Sequence, residues 1–347
     1  MCIRDRCGGS EQLTRSSEEI SRKQAEGPTP PVPGLRARTL LAVPVTVIGA
    51  MAVHAVVSRQ EPLAPTHSYW IFLETVLAVS VGLSLLQRWS KGLRRWMGHM
   101  CPIIAAAGVL LTLWAVITSG FRWLPLPYFP SPAGILQSMI EDRALLFDST
   151  WHSLLLLLGG YTLGVATALV TGVCIGWFDQ ARYWGMPALK LIGPIPATAW
   201  IPLAMVLSPS QTMSAVGLIA LSVWFPVTML TVSGIANTRA SYLDVARTLG
   251  AGRRYLIFRV AVPAAMPSIF IGLFMGLGTS FLTLVVAETV GVKSGLGWYL
   301  SWAQGWAEYG KVYAALIIMA VFFSTIITVL FKVRDRVLVW QKGVIKW

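Results

Sequence analysis

The polar residues of this chain are grouped for recognition. The stretch LDVARTLGAGRRYLIFRVAVPAAMPS, residues 243–268, carries five charged side chains, two glycines and two prolines between segments that are otherwise apolar. Tyr242, Ala246 and Leu249 recur at i, i+4 and i+7, so a short helix here has one apolar face, with Arg247 turned away and Ser241 placed to cap it. Gly250 stands where such a helix ends in a left-handed residue, and Gly252 loosens the next step. A second helix is expected from Arg253, with Leu256 and Val260 on one face, stopping or kinking at Pro263, which has no amide proton to donate. The chemistry on offer is non-covalent. A bent element with an apolar face fits a groove on a partner protein; the plainer alternative is a loop lying on headgroups, its arginines on anionic lipid.

Other residues invite a reading in both directions. Glu288 falls at the end of an apolar segment, where a charge is costly and turns towards protein or water. It could line a translocation path or pair with Lys293; the favoured reading is a helix-end carboxylate that holds the following GLG turn. Pro194, Pro196 and Pro202 surround Thr198 in PIPATAWIP. They either free backbone carbonyls and break a helix near a path, or only shape packing. Gly272 and Gly276 allow close helix approach, in a dimer interface or within one subunit. The tryptophans suit an interfacial belt. The acids are scattered, with no constellation for catalysis, and no catalytic residue is expected. No G-x-x-x-x-G-K-[ST] occurs, so ATP-driven work would need another chain. Cys2, Cys7, Cys101 and Cys174 and the isolated histidines form neither a disulfide frame nor a metal site, and no cofactor is expected.

The elements that must position these residues are apolar. The chain has 347 residues, a mean hydropathy of +0.65 and only 12% charged residues, against about 25% in soluble domains. Eight apolar segments follow one another, at roughly 39–58, 69–87, 101–119, 153–177, 191–208, 213–234, 268–290 and 312–331. The pattern is that of an all-α integral membrane protein; a β-barrel would alternate over shorter segments. Residues 1–38 read as a disordered polar tail, whose opening MCIRDRCGGS looks like translated adapter sequence, so the true start is expected further in. No signal peptide is evident.

With the N-terminus inside, the inner segments collect Arg88, Lys91, Arg94, Arg95, Arg182, Lys190, Arg239, Arg247, Arg253, Arg254, Arg259, Lys332, Arg334, Arg336, Lys342 and Lys346, opposed only by Asp179, Asp244 and Asp335. The outer loops balance. The net charge of +13 therefore reads as membrane orientation, with both termini cytoplasmic, and asks for no nucleic acid. Three parts result: the tail, two spans with a basic linker over 39–100, and six spans over 101–347 that contain the polar loop at 235–267.

The spacing in that loop resembles the cytoplasmic signature of ABC importer permeases: E-A-A, three residues, G, nine residues, I-x-L-P. Asp244, Val245 and Ala246 stand at E-A-A, Gly250 at the glycine, Val260 and Val262 at the aliphatic pair and Pro263 at the proline. LPYFPSPAGIL (126–136), GPIPATAWIPLAMVL (193–207) and AETVGVKSGLGWYL (287–300) look like further blocks of the same family, in its nitrate/sulfonate/taurine-type branch. The departures are Asp for Glu, and Val for Ala, Ile and Leu.

The resemblance implies a type I importer membrane subunit in the bacterial inner membrane: a six-span permease core plus two extra N-terminal spans. Two such subunits, as a homodimer, would line the path for a small anionic solute. Separate ABC ATPase subunits would dock on the loop through Asp244, Ala246, Arg247, Gly250, Ala251 and Pro263. A periplasmic or lipid-tethered solute-binding protein would deliver substrate, and lipid would surround the spans. Pro194, Pro196, Thr198 and Glu288 are the candidates for the path. The alternative is an ion-coupled secondary transporter or channel, which would want central charged pairs or broken half-helices; a membrane scaffold is a third reading.

Overall fold

The computed structural model describes residues 37–57, 67–86, 91–121, 123–124 and 127–341. The expected disordered tail lies outside these residues, except that Ala37 and Arg38 already belong to a helix; part of the basic linker, at 87–90, lies outside them too. Among the described residues every regular element is helical. The chain divides into two compact units, residues 1–60 with 70–116 and residues 61–69 with 117–347.

The first unit contains α1 (Ala37–Val57), α2 (His67–Leu86) from Trp70 onward, and α3 (Lys91–Ala115). α1 lies along α3. Val43 and Val47 on α1, and Met97, Cys101 and Ala105 on α3, are buried at four-residue spacing, the period of one helix face. Gly108 brings α3 close to Thr46, whose Oγ1 would lie 3.4 Å from a Cβ at that position. Through these small residues α3 packs in the same compact unit as α1.

The second unit is built on three long helices, α5 (Arg143–Trp177), α8 (Gln211–Ala236) and α10 (Arg253–Val290). α8 lies between the other two. Gly160, Gly164, Ala168, Gly172 and Gly176 run down one face of α5 at four-residue spacing, and all are buried. A Cβ on Gly164 would meet the Ala220 carbonyl oxygen at 2.6 Å, and one on Gly172 would meet Thr231 Cβ at 2.7 Å. Lipid tails are as apolar as leucine, so close backbone approach of this kind holds such helices together. Gly272 and Gly276 of α10 face Val227 and Val223 of α8, so their close approach serves packing within one subunit. Around this trio lie α4 (Pro132–Glu141), α6 (Asp179–Ile192), α7 (Ile201–Leu207), α9 (Ala240–Thr248), α11 (Leu296–Gly305) and α12 (Tyr309–Val337).

Six described helices are long and apolar enough to cross a membrane. The fifth expected span, 191–208, is not a straight helix: α6 and the segment Ala197–Leu207 meet at 84°. Pro194 and Pro196 have no amide to donate, and residues 193–196 separate α6 from the next helical turn at Ala197, so hydrogen bonding cannot run through. The first expected span is also shorter, with an apolar stretch of Leu41–Val56. At 35 and 38 residues, α5 and α10 are about 52 and 57 Å long. Both exceed a hydrocarbon core of about 30 Å, and so reach beyond it.

Candidate functional site

The two ends of the second unit carry different chemistry. At one end the C-terminus of α5 meets that of α8, Gly176 against Ile235, and the start of α10 meets α8, with Gly234 against Ala265. This end holds the polar loop. α9 begins at Ala240 with Arg239 at its cap position. Ser241 is thus inside the helix, and the cap expected of it is not made. The other terminus follows the glycine pattern. Gly250 has φ +81°. Its N–H donates to the Arg247 carbonyl (2.9 Å), and the Ala251 N–H donates to the Ala246 carbonyl (3.0 Å). This pair of bonds, around a left-handed residue, satisfies the last carbonyls and turns the chain sharply.

The turn shapes a groove of about 450 Å³, lined by Tyr242, Val245, Ala246, Leu249, Gly250, Ala251, Tyr255 and Val260. Leu249 is 82% exposed, and Tyr242, Val245 and Tyr255 are also exposed. Asp244 and Arg247 stand outside the groove lining and pair with one another at 3.3 Å, both exposed. An exposed pair of this kind contributes little to stability, so both side chains are available to a partner.

Pro263, expected to stop or kink the second helix, does not stop it. α10 runs unbroken from Arg253 to Val290, and a π-helical turn occupies Leu256–Ala261 immediately before the proline. There the Val262 N–H reaches back to the Ile257 carbonyl. The wider turn relieves the conflict between a proline ring and the fourth-preceding carbonyl, which would otherwise break the helix. Leu256, Ile257 and Ala261 of this segment are buried.

The bent element brings Pro194, Pro196 and Thr198 together at its break, where Thr198 is half-buried and both prolines are exposed. Gly193 sits so close to the Phe225 ring that a Cβ would collide with it. α6 is held to the core by Leu189, buried beside Ile175 and Val232. The Arg182 guanidinium donates to the Gly176 (2.5 Å) and Ile175 (3.4 Å) carbonyls, closing the end of α5.

At the opposite end Glu288 is 1% exposed and enclosed by α5, α10 and α11. Ser153 Oγ donates to its Oε1 (2.6 Å), and the Gly297 N–H donates to its Oε2 (2.7 Å). Ser153 in turn accepts the Leu296 N–H (2.9 Å). Two of the unpaired amides that open α11 are thereby satisfied, one directly and one through a hydroxyl. Gly295, at φ +102°, leaves no room for a side chain against the carboxylate. This is the geometry of a helix-end carboxylate, the favoured reading of the sequence; Lys293 is not among its hydrogen-bond partners.

A second polar cluster at this end had no sequence signal, because its members are far apart in the chain. The Tyr299 hydroxyl donates to Asp142 Oδ2 (2.7 Å), and Lys311 reaches Asp142 (3.3 Å) and Glu308 (2.7 Å). It ties the α4–α5 junction to α11 and α12. Ser153 and the α5 glycine ladder were likewise not singled out, although the ladder's four-residue period was open to view.

The family model for the binding-protein-dependent transport system inner membrane component matches residues 160–338, more than half of the chain. A Haemophilus influenzae protein named as an ABC transporter permease is 29% identical over 159 residues, 46% of this chain and 64% of that protein. A Bacillus subtilis permease named for aliphatic sulfonates is 30% identical over 175 residues, 50% of this chain and 63% of its own length. The taurine transport system permease of Escherichia coli is 26% identical over 170 residues, 47% and 62% respectively. Each alignment spans less than two thirds of the relative's length. The matched region contains α9, its glycine turn, the bent element and Glu288.

Proposed function

We propose a role in ATP-driven solute uptake for this chain, which belongs to the family of inner membrane components of binding-protein-dependent transport systems. In this reading it is the membrane subunit of an importer. Two copies line the path, a separate ATPase docks at the α9 turn, and a binding protein delivers solute at the Glu288 end. The observation that carries the reading is the groove at Gly250: an exposed apolar helix face whose end is closed by two turn hydrogen bonds. A helix end of this kind fits a groove on a partner.

Two of the relatives are named for aliphatic sulfonates and for taurine, which supports a small solute with a sulfonate group as the cargo proposed for this chain. The excess of arginine and lysine in the loops at this end supports a cytoplasmic side for the α9 turn, where an ATPase would dock. Asp244 is one methylene shorter than glutamate, and its pairing with Arg247 leaves a carboxylate at the rim of the groove to meet a basic partner residue.

The test is co-purification with an ATPase encoded beside this chain, together with uptake in vesicles. Gly250→Val introduces a β-branched residue at positive φ, a conformation it resists by about 1–2 kcal/mol. It should reduce association about tenfold and uptake with it. Association and uptake both equal to wild type would show that the docking assignment is wrong.

A further inference from the structure

We propose that Arg253 and Phe178 are positioning residues that join the docking turn to the bent α6–α7 element. The inference rests on the importer reading above. Arg253 is the first residue of α10, three positions after Gly250. Its guanidinium lies 4.6 Å from the centroid of the Phe178 ring. Phe178 is the single residue between α5 and α6, in extended conformation at φ −100° and ψ 124°. The contact therefore ties together two corners of the chain: the one where the docking turn becomes α10, and the one where α5 becomes α6. A guanidinium over an aromatic face at this distance is attracted by the ring quadrupole.

From Phe178 the connection continues through a stiff body. α6 has 14 residues, about 21 Å of helix. Its first turn is fastened to α5 by Arg182, and a Cβ on Gly185 would meet Ile175 Cδ1 at 2.6 Å, so there is no slack at its middle. Its far end is Gly193, pressed on Phe225, and the 84° break follows, with Pro194, Pro196 and Thr198. On the other side, Gly250 and Ala251 line the groove, and only Gly252 separates them from Arg253. A displacement of α9 by a docked ATPase thus reaches Phe178 through Arg253, and α6 carries it as a lever to the break.

The test uses the complete importer in vesicles, measuring solute taken up per ATP hydrolysed. The ATPase should still co-purify with every variant. Arg253→Ala and Phe178→Leu should each lower uptake per ATP by about threefold to tenfold, the range of one cation–π contact. Arg253→Lys and Phe178→Trp, which keep a cation over a ring, should stay within about twofold of wild type. The double variant Arg253→Ala with Phe178→Leu should be no worse than either single one, since both remove the same contact. Unchanged coupling in the single variants, or losses that add, would overturn the proposal.

A second readout needs no partner. Spin labels on Tyr183→Cys in α6 and Leu249→Cys in α9, in a chain whose own cysteines are replaced by serine, report the distance between the two elements. Arg253→Ala should broaden that distribution; equal widths would overturn the proposal as well. Failure of the importer reading looks different: no ATPase accompanies the wild-type chain, while the label distances still respond to Arg253→Ala.

Discussion

Gly159 and Gly160 are neighbours with opposite duties. A Cβ on Gly160 would meet Ile219 Cγ2 at 2.5 Å and the Val216 carbonyl oxygen at 3.1 Å, whereas one on Gly159 would have only Val216 Cγ2 at 3.9 Å. Gly160→Ala should therefore destabilise by about 1–3 kcal/mol through overpacking. Gly159→Ala should be neutral or stabilising by about 0.5–1 kcal/mol, because alanine is the better helix former. Thermal unfolding of the two variants in the same detergent checks this; similar melting temperatures would contradict the packing assigned to the α5–α8 seam. At this scale the sequence was informative where backbone conformation alone decides. The left-handed turn at Gly250 was legible because few other residues accept it. Pro263 announced an irregularity but not its form: the helix continues, with a wider turn at Leu256–Ala261 before the proline.

The element most dependent on a distant residue is α11. Its first amides are satisfied by Glu288 and Ser153, which come from α10 and α5. Glu288→Ala removes the acceptor of Gly297 and Ser153 and should cost about 2–4 kcal/mol, the penalty for two buried donors left unpaired. Glu288→Gln keeps one acceptor oxygen and should cost less. Thermal unfolding ranks the three chains, and hydrogen exchange of the Leu296 and Gly297 amides locates the loss. Protection equal to wild type in Glu288→Ala would show that the carboxylate does not hold this helix. The GLG pattern did suggest a helix-end carboxylate at this position. Ser153 was out of reach, since it meets Glu288 across 135 residues of chain. The bent element was half legible: the prolines announced a break, but the apolar run around them hid the 84° angle.

For the whole molecule the decisive property is sidedness. The α9 turn and the Glu288 end lie at opposite ends of the α5–α8–α10 core, and the excess of arginine and lysine gathers at the first. Leu249→Cys should therefore react with a membrane-impermeant thiol reagent only from the cytoplasmic face, and Trp306→Cys only from the outer face; both are exposed positions. Labelling of both from one side would invert or dismiss the proposed topology. The sequence by itself determined that the chain is a helical membrane protein with a bent polar element in its second half. Apolar run length, charge placement and glycine at a helix end are local properties, written residue by residue. Only the tertiary structure decided which helices form one unit, that the fifth segment turns at a right angle, and that Arg253 lies over Phe178. Those outcomes depend on which small residues let two backbones approach, and on side chains that meet only after distant segments have packed.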